Sequence, residues 1–476
     1  MNKAQIKALQ KKTVNEDQLA FDHLSKSEQK ACFGFCDQYK QFLDRAKTER
    51  EAVREIIELA EKQGFTDIDK HLASASKRKS VPRKVYKTFK DKCVALAVLG
   101  KDNLESGTRI IASHIDSPRL DLKQNPLYED LDLGLLKTHY YGGIRKYQWL
   151  AIPLALHGTI LNSKGERIEI TIGEDPDDPV FTVSDLLPHL AGKLQNNKKL
   201  SEVFDAEKLN LIAGSLPLGE PSTKDRFMLN ILSILNSKYN IVEEDLISAE
   251  IEAVPAGSAR DIGFDRSMIG AYGQDDRVCA YTSLMALLDT TTRPEKTGIC
   301  FFFDKEEIGS EGNTGAKSVF IEDFISDLLV LNKEAADNRT LRKVLIASQC
   351  LSADVNAAMD PDYKEVHEKL NAAKLGHGIC MTKFTGVGGK SGSSDASAEF
   401  VGIVREIFNQ KKVIWQTGEL GKTDQGGGGT VAKFMAQLGM DVLDCGPALL
   451  SMHAPFEISS KPDVYMTYKG YKAFFS

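Results

Sequence analysis

Residues 299–303 read Ile-Cys-Phe-Phe-Phe, with no polar side chain, and Asp304-Lys305-Glu306-Glu307 follows without a gap. A strand this apolar must be covered on both faces, as the strands of a parallel sheet are. The same texture runs through the second half of the chain. Strand-like runs at 299–304, 344–347, 413–416 and 441–444 alternate with helix-like stretches near 276–290, 315–335, 393–408 and 428–438. That alternation predicts an α/β fold with a mainly parallel central sheet flanked by helices. Sheets of this kind place their sites beyond the C-terminal ends of the strands.

Two earlier strand-like runs, 94–99 and 109–113, fit the same sheet. Between about 121 and 250 the texture changes. Short β-type pieces at 148–157 and 167–172 are broken by turn signals such as Asn162-Ser163-Lys164-Gly165 and Pro176–Pro179. A length of 476 residues allows three domains at about 150 residues each, but the pattern reads better as two. Residues 1–122 and 251–476 make one discontinuous domain, and 123–250 a β-rich domain inserted into it. Ahead of the first strands, 25–63 predicts helices. Ser25 with Glu28 and Thr48 with Glu51 form capping boxes, and Gly64 is placed to end the second helix.

The charge balance, 61 Lys+Arg against 67 Asp+Glu for a net −6, argues against a dedicated nucleic-acid binder. A basic run of Lys77, Arg78, Lys79, Arg83, Lys84, Lys87, Lys90 and Lys92 reads as solvated surface. No apolar run approaches the roughly 20 residues of a membrane span, and Met1–Lys7 does not open a secretory leader. The eight cysteines lie mostly in apolar segments without a CxxC pair, the pattern of reduced thiols in a cytoplasmic protein. Cys32 and Cys36, four apart, read as core packing on one helix face.

Metal-type ligands stand just past predicted strands in five places. His114 and Asp116, two apart, share a face of an extended segment, and such an Asp can fix the tautomer of a metal-binding His. Asp275 and Asp276 open a helix, where they could cap it or bridge two cations. Asp304-Lys305-Glu306-Glu307 ends a buried strand, and buried charge is costly unless paired or bound to metal. Adjacent glutamates suit one ligand and one proton acceptor. Asp354 and His453 complete the series. Each place alone reads as loop polarity. Together, two His and three carboxylates suffice for two zinc-like ions sharing a carboxylate.

The set His114-Ile115-Asp116-Ser117-Pro118-Arg119-Leu120, Asp304–Glu311, Ser352-Ala353-Asp354 and Met452-His453 resembles, in order and spacing, the M18 metallo-aminopeptidases. The likeness is to the aspartyl-aminopeptidase-like enzymes, in their bacterial branch, and it covers nearly the whole chain. It implies that His114, Asp275, Glu307, Asp354 and His453 bind two divalent ions, most simply zinc, with cobalt or manganese as alternatives. Asp275 would bridge them, with Asp276 as the rival. Glu306 would be the general base and Asp116 the residue orienting His114. The segment Val183–Leu190 is similar to one whose His reaches a neighbouring subunit, which would make His189 a substrate contact. Lys390 stands at the place of a substrate-binding Lys. The run Gly426–Thr430 lacks the Lys of a phosphate loop and reads as pocket wall.

The resemblance thus implies an aminopeptidase that removes the N-terminal residue of peptides with metal-activated water and a Glu base. The discontinuous domain would be catalytic and the inserted one would serve oligomerisation, giving a homo-oligomer, a dodecamer built from dimers. Another two-metal amide hydrolase, a deacylase or a carboxypeptidase-like enzyme, is the nearest alternative. A catalytically silent assembly or cargo protein would have lost a ligand, and none is missing. Whether the first residue is acidic, or neutral or apolar, is open, with Lys390 and Lys422 as the cations an acidic residue would need.

Overall fold

A computed structural model describes residues 1–15, 17–73 and 81–476. Lys77, Arg78 and Lys79 of the basic run lie outside them. A nine-stranded sheet forms the centre, in the order Thr66–Asp67, Lys84–Phe89, Cys93–Val98, Gly298–Phe303, Arg109–His114, Gln349–Ser352, Asp441–Gly446, Ile379–Thr382, Trp415–Thr417. The four strands from Gly298–Phe303 to Asp441–Gly446 run parallel, and antiparallel neighbours flank them. The fold is therefore α/β, with a largely parallel core.

Strand alternation divides the central residues between two hydrophobic layers. Cys300 and Phe302 face one layer, with Tyr39, Phe42, Leu284 and Phe474. Ile299, Phe301 and Phe303 face the other, with Phe320, Phe324 and Leu328. Both faces are apolar because helices cover both. Phe301 stacks on Phe303 with centroids 5.5 Å apart and meets Phe320 and Phe324 edge-on.

The helices Lys26–Arg45 and Glu49–Lys62 carry the expected capping boxes. Cys32 and Cys36 share a buried face, and both thiols donate to the Lys461 carbonyl. All eight cysteines are buried and free. Residues 344–347, expected as a strand, instead end the helix Asn338–Ala347. Asp337 caps it by accepting from Arg339 N and Thr340 N, and Leu341, Val344 and Leu345 make a helical apolar stripe. The strand begins two residues later, at Gln349.

A second sheet of seven strands is antiparallel throughout, and all its strands fall between Arg119 and Pro255. Its first strand is Arg119–Asp130 and its last Glu250–Pro255. The piece expected as β at 148–157 splits into a 3-10 turn, Lys146–Trp149, and a strand, Leu154–Leu161. A helix, Arg226–Tyr239, also packs here through Met228, Ile231, Leu232 and Leu235. His157, on Leu154–Leu161, joins this sheet to the rest of the chain. Its Nδ1 lies 2.8 Å from Glu51 and its Nε2 3.0 Å from Glu174. A five-stranded sheet, which includes Met268–Ala271 and Glu457–Ser460, completes the frame near the parallel strands' ends. No helix among the described residues is long and apolar enough to cross a membrane.

Candidate active site

Each ligand candidate stands where a strand or helix ends. His114 is the last residue of Arg109–His114 and pairs in register with Phe303. Glu306 and Glu307 form the 3-10 turn after Gly298–Phe303. Asp354 lies two residues beyond Gln349–Ser352. Asp275 sits in the non-helical first turn of Gln274–Leu288, with a cis peptide to Asp276. His453 follows the strand Ala448–Leu450. Both Lys305 and His453 take left-handed backbone, φ 67° and 65°, at cost to the fold, as happens where side chains are aimed for function.

The structure brings these groups together. Asp275 lies between the histidines, with Oδ1 3.1 Å from His114 Nε2 and Oδ2 3.2 Å from His453 Nε2. Asp354 Oδ1 is 3.9 Å from His114 Nε2, and Glu307 Oε2 is 3.5 Å from His453 Nε2. Two triads therefore share Asp275: His114 with Asp354, and His453 with Glu307, each set of ligand atoms lying within 4.8 Å of one another. Glu306 groups with His114 and Glu307 by the same measure. Asp276 is also buried: one of its oxygens, Oδ1, accepts from Cys279 N at 3.4 Å, and Oδ2 has no hydrogen-bond partner.

The electrostatics are those of a site short of positive charge. Burial pushes the Glu306 carboxyl up to about 7, aided by Asp116 and Asp275 against the pull of His114. Burial likewise holds Glu307 and Asp354 well above the carboxylate range. Burial alone would depress the imidazoles. The carboxylates outweigh it, so His114 is raised far above the usual value and His453 to about 10. Glu307 Oε1 is buried without a hydrogen-bond partner. Crowded carboxylates, two inward Nε2 atoms and one unpartnered oxygen fit divalent cations, which would displace the imidazole protons.

Residues behind the ligands fix their geometry. Asp116 Oδ1 lies 3.3 Å from His114 Nδ1 and accepts from Glu306 N. Its Oδ2 accepts from Glu307 N and Tyr141 Oη. Glu457 accepts from His453 N at 2.7 Å and Asp275 N at 3.1 Å, so one buried carboxylate ties both backbones. His453 Nδ1 donates to the Gly143 carbonyl at 2.8 Å. Tyr141, Gly143 and Glu457 carried no local signal in the sequence, because their partners are distant along the chain.

A cavity of about 410 Å³ opens on Asp275, Glu306, Glu307, Asp354 and His453, walled by Val355, Asn356, Thr382, Leu420, Gly427–Thr430 and Met452. No lysine or arginine lines it among the described residues. The structure does not bring Lys390 there: it is exposed, pairs with Asp395 at 3.1 Å and lies over the Phe384 ring. Exposed His189 does not line the cavity either, nor does Lys422. A larger cavity, about 690 Å³, is lined by Lys369, Lys374 and Lys412 and contains none of the clustered residues.

The chain is similar to known proteins over nearly its whole length. Residues 42–475 match the family model of aminopeptidase I zinc metalloproteases (M18). A Clostridium acetobutylicum protein named a probable M18 family aminopeptidase 1 is 51% identical over 97% of this chain and 98% of its own length. The crystal structure of an M18 family aminopeptidase from Thermotoga maritima superposes with a TM-score of 0.91 at 48% identity, covering 97% of this chain and 99% of that one. The S. cerevisiae mApe1 dodecamer, at 20% identity and a TM-score of 0.72 over 92% of this chain and 95% of that one, shares the fold. The chain belongs to the M18 family of zinc metalloproteases, and it is a metallo-aminopeptidase.

Proposed function

We propose that this aminopeptidase works with two divalent ions, most simply zinc, held by His114 and Asp354 on one side, by Glu307 and His453 on the other, and by Asp275 between them. The placement of Asp275, with one oxygen toward each imidazole, is the observation that carries this reading. Metal held there supplies Lewis acidity and lowers the pKa of water. Glu306 takes the proton of the attacking water and returns it to the leaving amine. Its carboxyl lies beside His114 and Glu307, within reach of water held among the ligands, as both transfers require. Asp116 keeps the His114 Nε2 lone pair turned inward by holding Nδ1 through its main-chain carbonyl at 3.1 Å, with its carboxylate at 3.3 Å. The free α-amino group of the peptide docks among the carboxylates. Loss of N-terminal residues from a peptide ladder, read by mass spectrometry with and without chelator, tests the reading.

The wall of the cavity favours a neutral first residue. Val355, Leu420 and Met452 offer apolar surface, and no lysine or arginine lines the cavity among the described residues. Residues 123–250 serve as an inserted oligomerisation module on this reading, around the seven-stranded sheet. Exposed Leu186, Leu187, Leu190 and Leu194 beside His189 suit burial against a second copy, from which His189 would reach the neighbouring cavity. Lys390, tied to Asp395, would need to turn from its present partners to touch substrate. The dodecamer of the yeast relative is the assembly proposed here too. The cytoplasm, with its pool of peptides, is the proposed location.

A further inference from the structure

We propose that Tyr141, Gly142 and Gly143 form a strap by which the seven-stranded sheet positions both site histidines, and that the Tyr141 hydroxyl sets the site's affinity for metal. Tyr141 ends the strand Leu133–Tyr141 of that sheet. Its hydroxyl donates to Asp116 Oδ2 at 2.7 Å. Asp116 is wholly buried, and its carboxylate also accepts from Glu306 N at 3.1 Å and Glu307 N at 3.2 Å; His114 Nδ1 is bonded to the Asp116 main-chain carbonyl at 3.1 Å and lies 3.3 Å from Oδ1. The two N–H donors belong to the site itself, and Tyr141 alone comes from the sheet.

Two residues further on, the Gly143 carbonyl accepts from His453 Nδ1 at 2.8 Å. One three-residue segment thus reaches the outer nitrogen of both imidazoles, through Asp116 in one case and directly in the other. That leaves both Nε2 atoms to face Asp275. Gly142 lets the strap lie against the site. It takes φ +72°, and a Cβ there would stand 3.2 Å from Glu307 Cβ and 3.3 Å from Pro118.

The base of the strap is itself clamped. The Arg119 guanidinium lies 4.0 Å from the centre of the Tyr141 ring. Arg119 is held by Asp121 at 2.8 Å, Glu252 at 3.2 Å and Glu49 at 3.4 Å. Arg119 and Glu252 lie on the strands by which the chain enters and leaves the sheet, and Glu49 on a helix of the main body. Tyr141 lines no part of the cavity, so it acts through Asp116 as a positioning residue.

The inference rests on the metal-site reading above, and its test separates the two. Zinc affinity of the full-length chain is measured by competition with a chromogenic chelator, together with the visible spectrum of the cobalt-loaded protein. Tyr141→Phe keeps the ring against Arg119 and removes only the hydroxyl. Affinity should fall about 10- to 100-fold, the usual effect of losing an outer partner of a metal ligand, and the cobalt bands should shift. Tyr140→Phe, at an exposed neighbour on the same strand, should change neither. Wild-type affinity and spectrum in Tyr141→Phe would overturn the strap, as would an equal loss in Tyr140→Phe. A wild-type chain that takes up no zinc would instead overturn the metal site itself.

Discussion

Asp275 reaches His453 with the oxygen it does not turn to His114: Oδ2 is 3.2 Å from His453 Nε2, while Oδ1 is 3.1 Å from His114 Nε2. A carboxylate so placed can serve two cations at once. Asp275→Asn replaces one of its oxygens with a donor, which cannot ligate metal. The variant should hold at most one ion per chain after dialysis, read by elemental analysis. Asp276→Asn, whose carboxylate is turned to Cys279, should still hold two. Two ions in Asp275→Asn would assign the bridge elsewhere.

Glu306 is grouped with His114 and Glu307 but belongs to neither triad around Asp275. Glu306→Gln should therefore keep its metal while kcat falls by about 10² to 10⁴, the range for a lost general base. Unchanged kcat would remove the base assignment.

Stability should depend on pH through His157. Burial alone would depress its imidazolium, but the bonds to Glu174 and Glu51 outweigh that and raise it above the usual histidine value. A raised folded-state value means stability that is fully present below about pH 6.5 and lost as pH rises through the folded value. Denaturant midpoints of the wild type should fall as pH rises above about 6.5. His157→Gln should flatten that dependence, and an equal slope in the variant would refute the link.

Phe301 packs on Phe303, Phe320 and Phe324 in the layer away from the long N-terminal helices. Phe301→Ala should cost about 3–5 kcal/mol, the usual range for an aromatic removed from a tight core. A shift in urea midpoint at unchanged slope reads this, and a loss under 1 kcal/mol would mean that the layer re-closes.

The core of this fold was legible because its signals are local. Ile299–Phe303 is apolar on both faces because two layers of helices cover it, and charge directly after such a strand has few cheap explanations. Val344–Ala347 by itself suits a strand or a helix end, and the Asp337 cap decides for the helix Asn338–Ala347. The helix Arg226–Tyr239, outside the expected β-type pieces, carries Met228, Ile231, Leu232 and Leu235 on one stripe. Gly143 and His453 are 310 residues apart, and what Gly143 contributes is a backbone carbonyl, which no residue type announces. Glu457 likewise acts on Asp275 across 182 residues.

The most direct measurement is a zinc titration of the metal-free chain during cleavage of an aminoacyl anilide such as leucyl anilide. A two-metal site predicts no turnover without zinc and a rise that saturates at two ions per chain. Full activity in the presence of chelator, or saturation at one ion, would contradict it.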